Sequence, residues 1–265
     1  MTELRRLGIP DATYLNPLTH GLEKAGFNLH KDIPARLAIE FRDRPGYFRG
    51  AFLSPIDFAR HGGNFRILPG ICAASSKPTG TVRLYVNPDR KSISTMAVDI
   101  RVTSEIVLAR IILLEKFPNL PAEENRLTFV PMHPDPAGML AKADAALVAA
   151  TGPSTAPEGL FSIDLVDEWS DMTDLPYVHG FWVVRENMFT GEELRTLLAA
   201  KQAGVEALAS VDASRRSYFD SFSYDFGSEH VESVAEFFRY AFFHGILGDV
   251  PDLNFFSSAA DSSVD

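Results

Sequence analysis

Three groups of side chains have the types and spacing to do chemistry. Thr103 and Ser104 stand where a long apolar helix is predicted to open, running from Ser104 to Phe117. The first amides of a helix have no intrahelical partner, so hydroxyls placed there can help to hold a carboxylate; the same residues also serve as ordinary caps. Upstream, Lys77-Pro78-Thr79-Gly80-Thr81-Val82-Arg83-Leu84-Tyr85-Val86 delivers small hydroxyls into a strand. Ser54 and Ser75 sit at the ends of two other strand candidates and are weaker lining residues, as is Gly152 in a small-residue loop. The third group is His179, which interrupts the apolar strand Tyr177-Val178-His179-Gly180-Phe181-Trp182. Alternation puts Tyr177, His179 and Phe181 on one face. An imidazole there can exchange a proton near neutral pH, or it can be a core histidine satisfied by a single hydrogen bond.

Other chemistries are excluded by spacing. The seven histidines, at positions 20, 30, 61, 133, 179, 230 and 244, form no His-x-x-x-His or Glu-x-x-His set, so no metal is expected. There is no Gly-x-Ser-x-Gly elbow, no Walker A loop and no Gly-x-Gly-x-x-Gly fingerprint, and no cofactor is expected. Glu229-His230 reads as a solvated helix face, and Trp169 and Trp182 as packing residues. A net charge of −10 argues against nucleic acid and anionic membranes as partners. A small anionic substrate would then need a local positive or amide-lined pocket. The single cysteine, Cys72, lies in an apolar strand and is expected to be buried and inert. Neither a secretory signal nor an apolar run of transmembrane length is visible, which sets the expectation of a cytoplasmic protein.

The elements that must position these groups follow from periodicity and breakers. Strands are expected at Ala12–Leu15, Gly50–Leu53, Ile67–Ala74, Thr81–Val86, Met96–Val98, Arg126–Pro131, Ala145–Ala149 and Tyr177–Val184. Helices are expected at His20–Ala25, Ile33–Phe41, Ile56–Arg60, Ser104–Phe117, Asp135–Ala141, Asp164–Ser170, Glu192–Ser210 and Val231–Leu247. Gly62-Gly63 and Asn87-Pro88-Asp89 act as stops, and the tail from Ser257 onward is polar. Strands alternating with helices over 265 residues predict an α/β protein with parallel sheet. Apolar strands near Arg83 and Phe181 suggest that the chain crosses twice between two lobes. One lobe would comprise residues 1–83 and 184–265 and the other residues 84–183, with a ligand cleft between them.

Several stretches resemble chorismate dehydratases, the menaquinone-biosynthesis family of the futalosine route. Tyr14-Leu15-Asn16 is similar to that family's Ser-Tyr-Leu-Asn opening, and Ser54-Pro55-Ile56-Asp57-Phe58-Ala59-Arg60 to its helix after an early strand. Ile67-Leu68-Pro69 matches its Leu-Pro segment, while Pro78, Thr81, Val82 and Leu84 fall on its Gly-Pro-Val-x-Ser-Val-x-Leu. Val98-Asp99 with Thr103-Ser104 resembles its Asp…Ser-x-Thr-Ser helix opening. Met139-Leu140 with Ala143-Asp144-Ala145-Ala146-Leu147, then Trp169, Thr173, Leu175-Pro176-Tyr177 and Trp182, follow in the same order, as does Tyr224-Asp225-Phe226-Gly227. The resemblance implies a two-lobed α/β fold of the periplasmic-binding-protein type II kind, with a cleft between the lobes. It also implies loss of water from chorismate, with Asn16 and Thr81 flanking the reacting ring and Thr103 and Ser104 holding a carboxylate.

The departures concern the pocket. Asn16 is followed directly by Pro17-Leu18, Thr81 replaces the family's strand serine, Lys77 replaces its first glycine, Gly152-Pro153 replaces Gly-Asp, and His179 replaces an apolar residue. His179 thereby joins Asn16 and Thr81 as a candidate catalytic residue, and no carboxylate base is evident. Two other classes remain open: a non-catalytic cytoplasmic binder of an aromatic or dicarboxylate ligand, and another lyase such as a decarboxylase of an aromatic acid.

Overall fold

The computed structural model describes residues 5–61, 65–87, 92–117 and 127–257. In chain order the elements are β1 (Arg5–Pro10), a 3-10 turn (Thr13–Leu15), α1 (Asn16–Thr19), β2 (Phe27–Asp32), α2 (Pro34–Asp43), β3 (Gly50–Leu53) and α3 (Pro55–His61). Next come β4 (Phe65–Ser75), β5 (Val82–Val86), β6 (Thr95–Asp99), α4 (Ser104–Lys116), β7 (Thr128–Met132), α5 (Pro136–Leu140) and β8 (Ala145–Ala149). The last third holds β9 (Ser162–Asp164), α6 (Leu165–Thr173), β10 (Tyr177–Arg185), α7 (Gly191–Ala207), α8 (Ala213–Phe219) and α9 (Ser228–Phe243).

The strands form two five-stranded sheets, ordered β2-β1-β3-β10-β4 and β7-β6-β8-β5-β9. Both are mixed rather than parallel. β1 runs parallel to β2 and β3, and β6 parallel to β7 and β8, as strand–helix alternation requires. β10 is antiparallel to β3 and β4, and β5 antiparallel to β8 and β9. The reason is the route of the chain. β5 and β10 are the strands entered on crossing from one sheet to the other, so each begins at the edge facing the other sheet and runs away from it. The sequence-based boundaries at 83/84 and 183/184 fall inside β5 and β10, each of which lies whole in one sheet; sheet membership changes between Ser75 and Val82 and again before Tyr177.

Local readings hold where hydrophobic pattern decides and change where it does not. Ala12–Leu15 is no strand, because Asn16-Pro17 seeds a helix at that point and the preceding residues tighten into a 3-10 turn. His20–Ala25 is a series of turns, closed by Gly26 at positive φ. His230 is buried rather than solvated: its Nδ1 accepts the Gly227 amide at 3.3 Å at the start of α9. Cys72 is buried, and burial pushes its thiol pKa up. Gly62-Gly63, Pro88-Asp89, Arg126 and the tail beyond Ser257 lie outside the described residues.

One apolar cluster joins the sheets. α4 is buried on several sides through Val107, Leu108, Ile111, Ile112 and Leu113. It packs in a core that takes Leu53 and Ile56 from the first half and Val98 and Leu147 from the second, together with Trp169, Phe237 and Phe238. Each such side chain contributes about 1.5–3 kcal/mol by leaving water, so α4 is held rigidly and its N-terminus is aimed at a defined place.

Candidate functional site between the two sheets

The same ends of the two sheets face each other. On one side stand Pro10, Leu53, Ser75 and Tyr177; on the other stand Asp99, Ala149 and Val82. Two contacts close the gap. The Thr13 amide donates to the Thr151 carbonyl at 2.6 Å. Thr103 Oγ1 donates to Asp57 Oδ2 at 2.9 Å, and Ser54 Oγ donates to that same oxygen at 2.7 Å. Gly152 lies at the first contact, where an added Cβ would come within 3.0 Å of Thr13 Oγ1.

The N-terminus of α4 is the polar centre of this gap. Its expected anion position is filled by the protein's own acids: Asp57 takes the Thr103 hydroxyl, and Glu105 Oε2 takes the Thr103 amide at 2.9 Å. Ser104 Oγ and the Tyr177 hydroxyl are buried beside each other, and among the described residues neither has another hydrogen-bond partner. Burial pushes both Tyr177 and Tyr14 up, with the charge of Glu105 adding to each, so both stay neutral phenols.

Glu105 lines a cavity of about 400 Å³ with Tyr14, Lys31 and Arg101, opposite Thr151. Its carboxyl pKa is raised, chiefly by burial; the amides of Thr103 and Glu105 oppose this, and Asp57 and Asp99 add to it. The nearby cations are already paired. Lys31 reaches Asp11 at 3.1 Å, and Arg101 holds Asp99 through both Nε and a terminal nitrogen while donating to the Ala149 carbonyl at 2.7 Å.

His179 packs behind Tyr14, which lines that cavity. Its Nε2 is 2.8 Å from Ser75 Oγ, and its ring is flanked by Tyr14, Tyr177 and Phe222 at centroid distances of 5.2, 5.0 and 5.6 Å. Burial pushes its pKa down to about 3, so the imidazole is neutral near physiological pH. Thr81 is buried at the crossing into β5; its hydroxyl meets that of Thr79 and its carbonyl accepts from the Ala150 amide. Asn16 is elsewhere. It is exposed on α1 and lines a second cavity of about 480 Å³ with Thr13, His20, Pro153 and Tyr218.

The structure therefore pairs Ser54 with Thr103 and Ser75 with His179 behind the cavity wall, with Ser104 buried next to Tyr177; none of these five lines the cavity that Glu105 and Tyr14 share. Thr81 and Gly152 lie at contacts between the halves, and Asn16 lies beside another cavity. Sequence reasoning passed over Tyr14, Asp57 and Glu105. Tyr14 and Asp57 lay within motifs noted for other reasons. Glu105 had one visible signal, an acid in the first turn of an otherwise apolar helix, which helix-dipole arguments alone would explain.

Comparison with known proteins then decides the family. Residues 5–242 match the family described as menaquinone biosynthesis. The chain belongs to that family. Among solved structures, this menaquinone-biosynthesis chain is similar to protein AF1704 of Archaeoglobus fulgidus, with a TM-score of 0.69 at 15% identity over 93% of this chain and 99% of that one. It is similar to the periplasmic aliphatic sulphonate binding protein SsuA of Escherichia coli, with a TM-score of 0.59 at 12% identity over 98% and 94% of the two chains. It is also similar to the Candida albicans CA3427 product, described as having the generic periplasmic binding protein fold, with a TM-score of 0.58 at 9% identity over 94% and 92%. At these identities the likeness is one of fold: the menaquinone-biosynthesis chain has the periplasmic-binding-protein-like α/β architecture that the motif resemblance implied. Among the described residues no helix is long and apolar enough to cross a membrane.

Proposed function

We propose that this family member is a lyase that removes water from chorismate or a related cyclic enol-ether acid, in the cytoplasm, on a futalosine-type route to menaquinone. The observation that carries the reading is the polar interior between the two sheets of a menaquinone-biosynthesis chain, where two buried hydroxyls with only each other for partners stand beside a carboxyl of raised pKa. Aromatisation drives such a reaction. The protein has only to hold the acid, exclude water and move one proton and one hydroxyl. Ser104 and Tyr177 offer O–H donors that, among the described residues, have only each other to bind. His179 adds a neutral imidazole held by Ser75, and Tyr14 supplies a ring wall. The proposal keeps Thr103, Ser104 and His179 in contact with the ligand. It gives Thr81 the hinge side and moves the ring contact from Asn16 to Tyr14. Entry of substrate requires the Thr13–Thr151 and Thr103–Asp57 contacts to part, so the two halves act as lobes hinged at 76–81 and 174–176.

A second reading is a binder without turnover. It is favoured by the mutual engagement of His179 with Ser75 and of Thr81 with Thr79, which leaves neither pair free. One experiment separates the two: incubation with chorismate, calorimetry for binding and mass detection of the dehydrated product. Product supports the lyase. Binding without product supports the binder, and neither removes chorismate as the ligand.

A further inference from the structure

The N-terminus of α4 presents a contradiction for a site that is to receive an acid: the protein has already put a carboxyl group there. Glu105 faces the cavity between the sheets, and its Oε2 is fixed by the Thr103 amide at 2.9 Å. Among the described residues the two cations that line the same cavity, Lys31 and Arg101, pair with Asp11 and Asp99 and not with Glu105. Asp57 lies on the other side of Thr103 and adds like charge. A dianionic ligand entering this space meets repulsion unless Glu105 carries a proton, and a carboxyl already partly desolvated takes that proton more readily than one in water.

Resting on the dehydratase reading, we infer that Glu105 is the proton-transfer residue of the cleft, acting as a carboxylic acid that protonates the departing hydroxyl and then receives the ring proton. The step balances within the substrate and this one group. The ring C–H bond breaks, its electron pair forms the new ring double bond, and the C–O bond breaks toward oxygen. The Glu105 O–H proton joins the leaving hydroxyl to form water, and the ring proton returns to the Glu105 carboxylate. No oxidant, reductant or second protein acid is required. A neutral Glu105 also explains how an acidic chain tolerates a dicarboxylate, because substrate and proton are taken up together.

The groups facing Glu105 from the neighbouring elements are Asp11 after β1, Tyr14 from the 3-10 turn, Lys31 and Asp32 from β2, Asp57 from α3, Asp99 from the end of β6 with Arg101 just beyond it, and Tyr177 from β10. Tyr14 and Tyr177 are raised and His179, behind Tyr14, is at about 3. The test is chorismate turnover by the full-length wild type, Glu105→Gln and Glu105→Asp from about pH 5 to about 9, with thermal melts as a folding control. Glutamine keeps an oxygen to accept the Thr103 amide, so the helix start survives. The expected result is a fall in kcat of about 100-fold or more in Glu105→Gln with KM changed little, partial recovery in Glu105→Asp, and loss of the alkaline limb. That limb is the wild-type decline of kcat/KM as Glu105 loses its proton with rising pH. Wild-type turnover with Glu105→Gln within about threefold of it and the same pH profile overturns the Glu105 assignment while leaving the dehydratase reading in place. Absence of wild-type turnover overturns the dehydratase reading and the assignment with it.

Discussion

Ser104 and Tyr177 bury two hydroxyls that, among the described residues, have only each other to bind. One O–H of such a pair is left without an acceptor, and an unmade hydrogen bond costs folding about 1–3 kcal/mol, so the pair weakens the protein unless a ligand uses it. Tyr177→Phe and Ser104→Ala are therefore expected to leave unfolding free energy unchanged or higher in urea titration, while weakening ligand binding by about 0.5–1.5 kcal/mol each. A clear loss of stability in either variant would mean that its hydroxyl is bonded in the folded protein. His179 makes a pH prediction. Its native pKa of about 3 lies below the ordinary 6.5, so as pH falls through 6.5 the unfolded chain takes a proton that the native state refuses. Its contribution therefore turns against the fold on acidification, by up to about 1.4 kcal/mol per pH unit until the native value is reached. Glu105 works in the opposite sense: its contribution is present at low pH and is lost as pH rises through its raised native value. His179→Phe should make stability measured from pH 6.5 downward less steep than in the wild type. An identical slope would show that the imidazole protonates freely in the native protein.

At the scale of elements, the site depends on how tightly α1 sits on α7. Gly204 in α7 lies against the backbone of Pro17, and a Cβ there would fall 2.0 Å from the Pro17 carbonyl oxygen. Backbone cannot move aside as a flexible side chain can, so Gly204→Ala is expected to cost about 3 kcal/mol, the upper end for overpacking. The same change should disturb the Tyr14 ring, because α1 follows directly on the 3-10 turn that carries it. Chemical denaturation gives the first effect and ligand affinity the second. A Gly204→Ala protein of wild-type stability would show that the two helices are not in contact in solution. α4 shows the complementary case. Its apolar sides are anchored in the core that spans both sheets, so its polar N-terminus can be preorganised without stabilising itself.

Over the whole molecule, the closed arrangement combines the apolar core that joins the two sheets with small polar contacts at their facing ends. Thr13 meets Thr151 and Gly152 on one side, and Thr103 meets Asp57 and Ser54 on the other. Gly152→Val adds branched bulk where only 3.0 Å separates an ideal Cβ from Thr13 Oγ1. The variant should keep its melting temperature, since the loop is at the surface. It should bind ligand about tenfold or more weakly, equivalent to about 1.4 kcal/mol lost from the closed state, and show a larger radius of gyration in solution scattering. Unchanged affinity and scattering would place Gly152 outside the closing contact.

Hydrophobic pattern and turn breakers in the sequence determined most of the secondary structure, including β4, β8, β10 and α4, because those stretches are apolar enough to need burial whatever surrounds them. Motifs spread along the chain likewise determined the family. β1 escaped because it opens with Arg5 and Arg6; the Arg5 guanidinium is met by Glu193 at 3.3 Å, a partner no local window contains. β2 escaped because polar residues interrupt its alternation. Strand direction in β5 and β10 was decided by where the chain crosses between sheets, which alternation of strands and helices does not encode. The protonation states of the groups in the site were decided by tertiary structure alone. Asp57 and Thr103 are brought together from distant parts of the chain, Ser75 and His179 from still farther apart, and burial in the folded chain raises the Glu105 carboxyl and keeps His179 neutral. A side chain's type is written in the sequence, but its proton affinity depends on which charges and how little water surround it once the chain has folded.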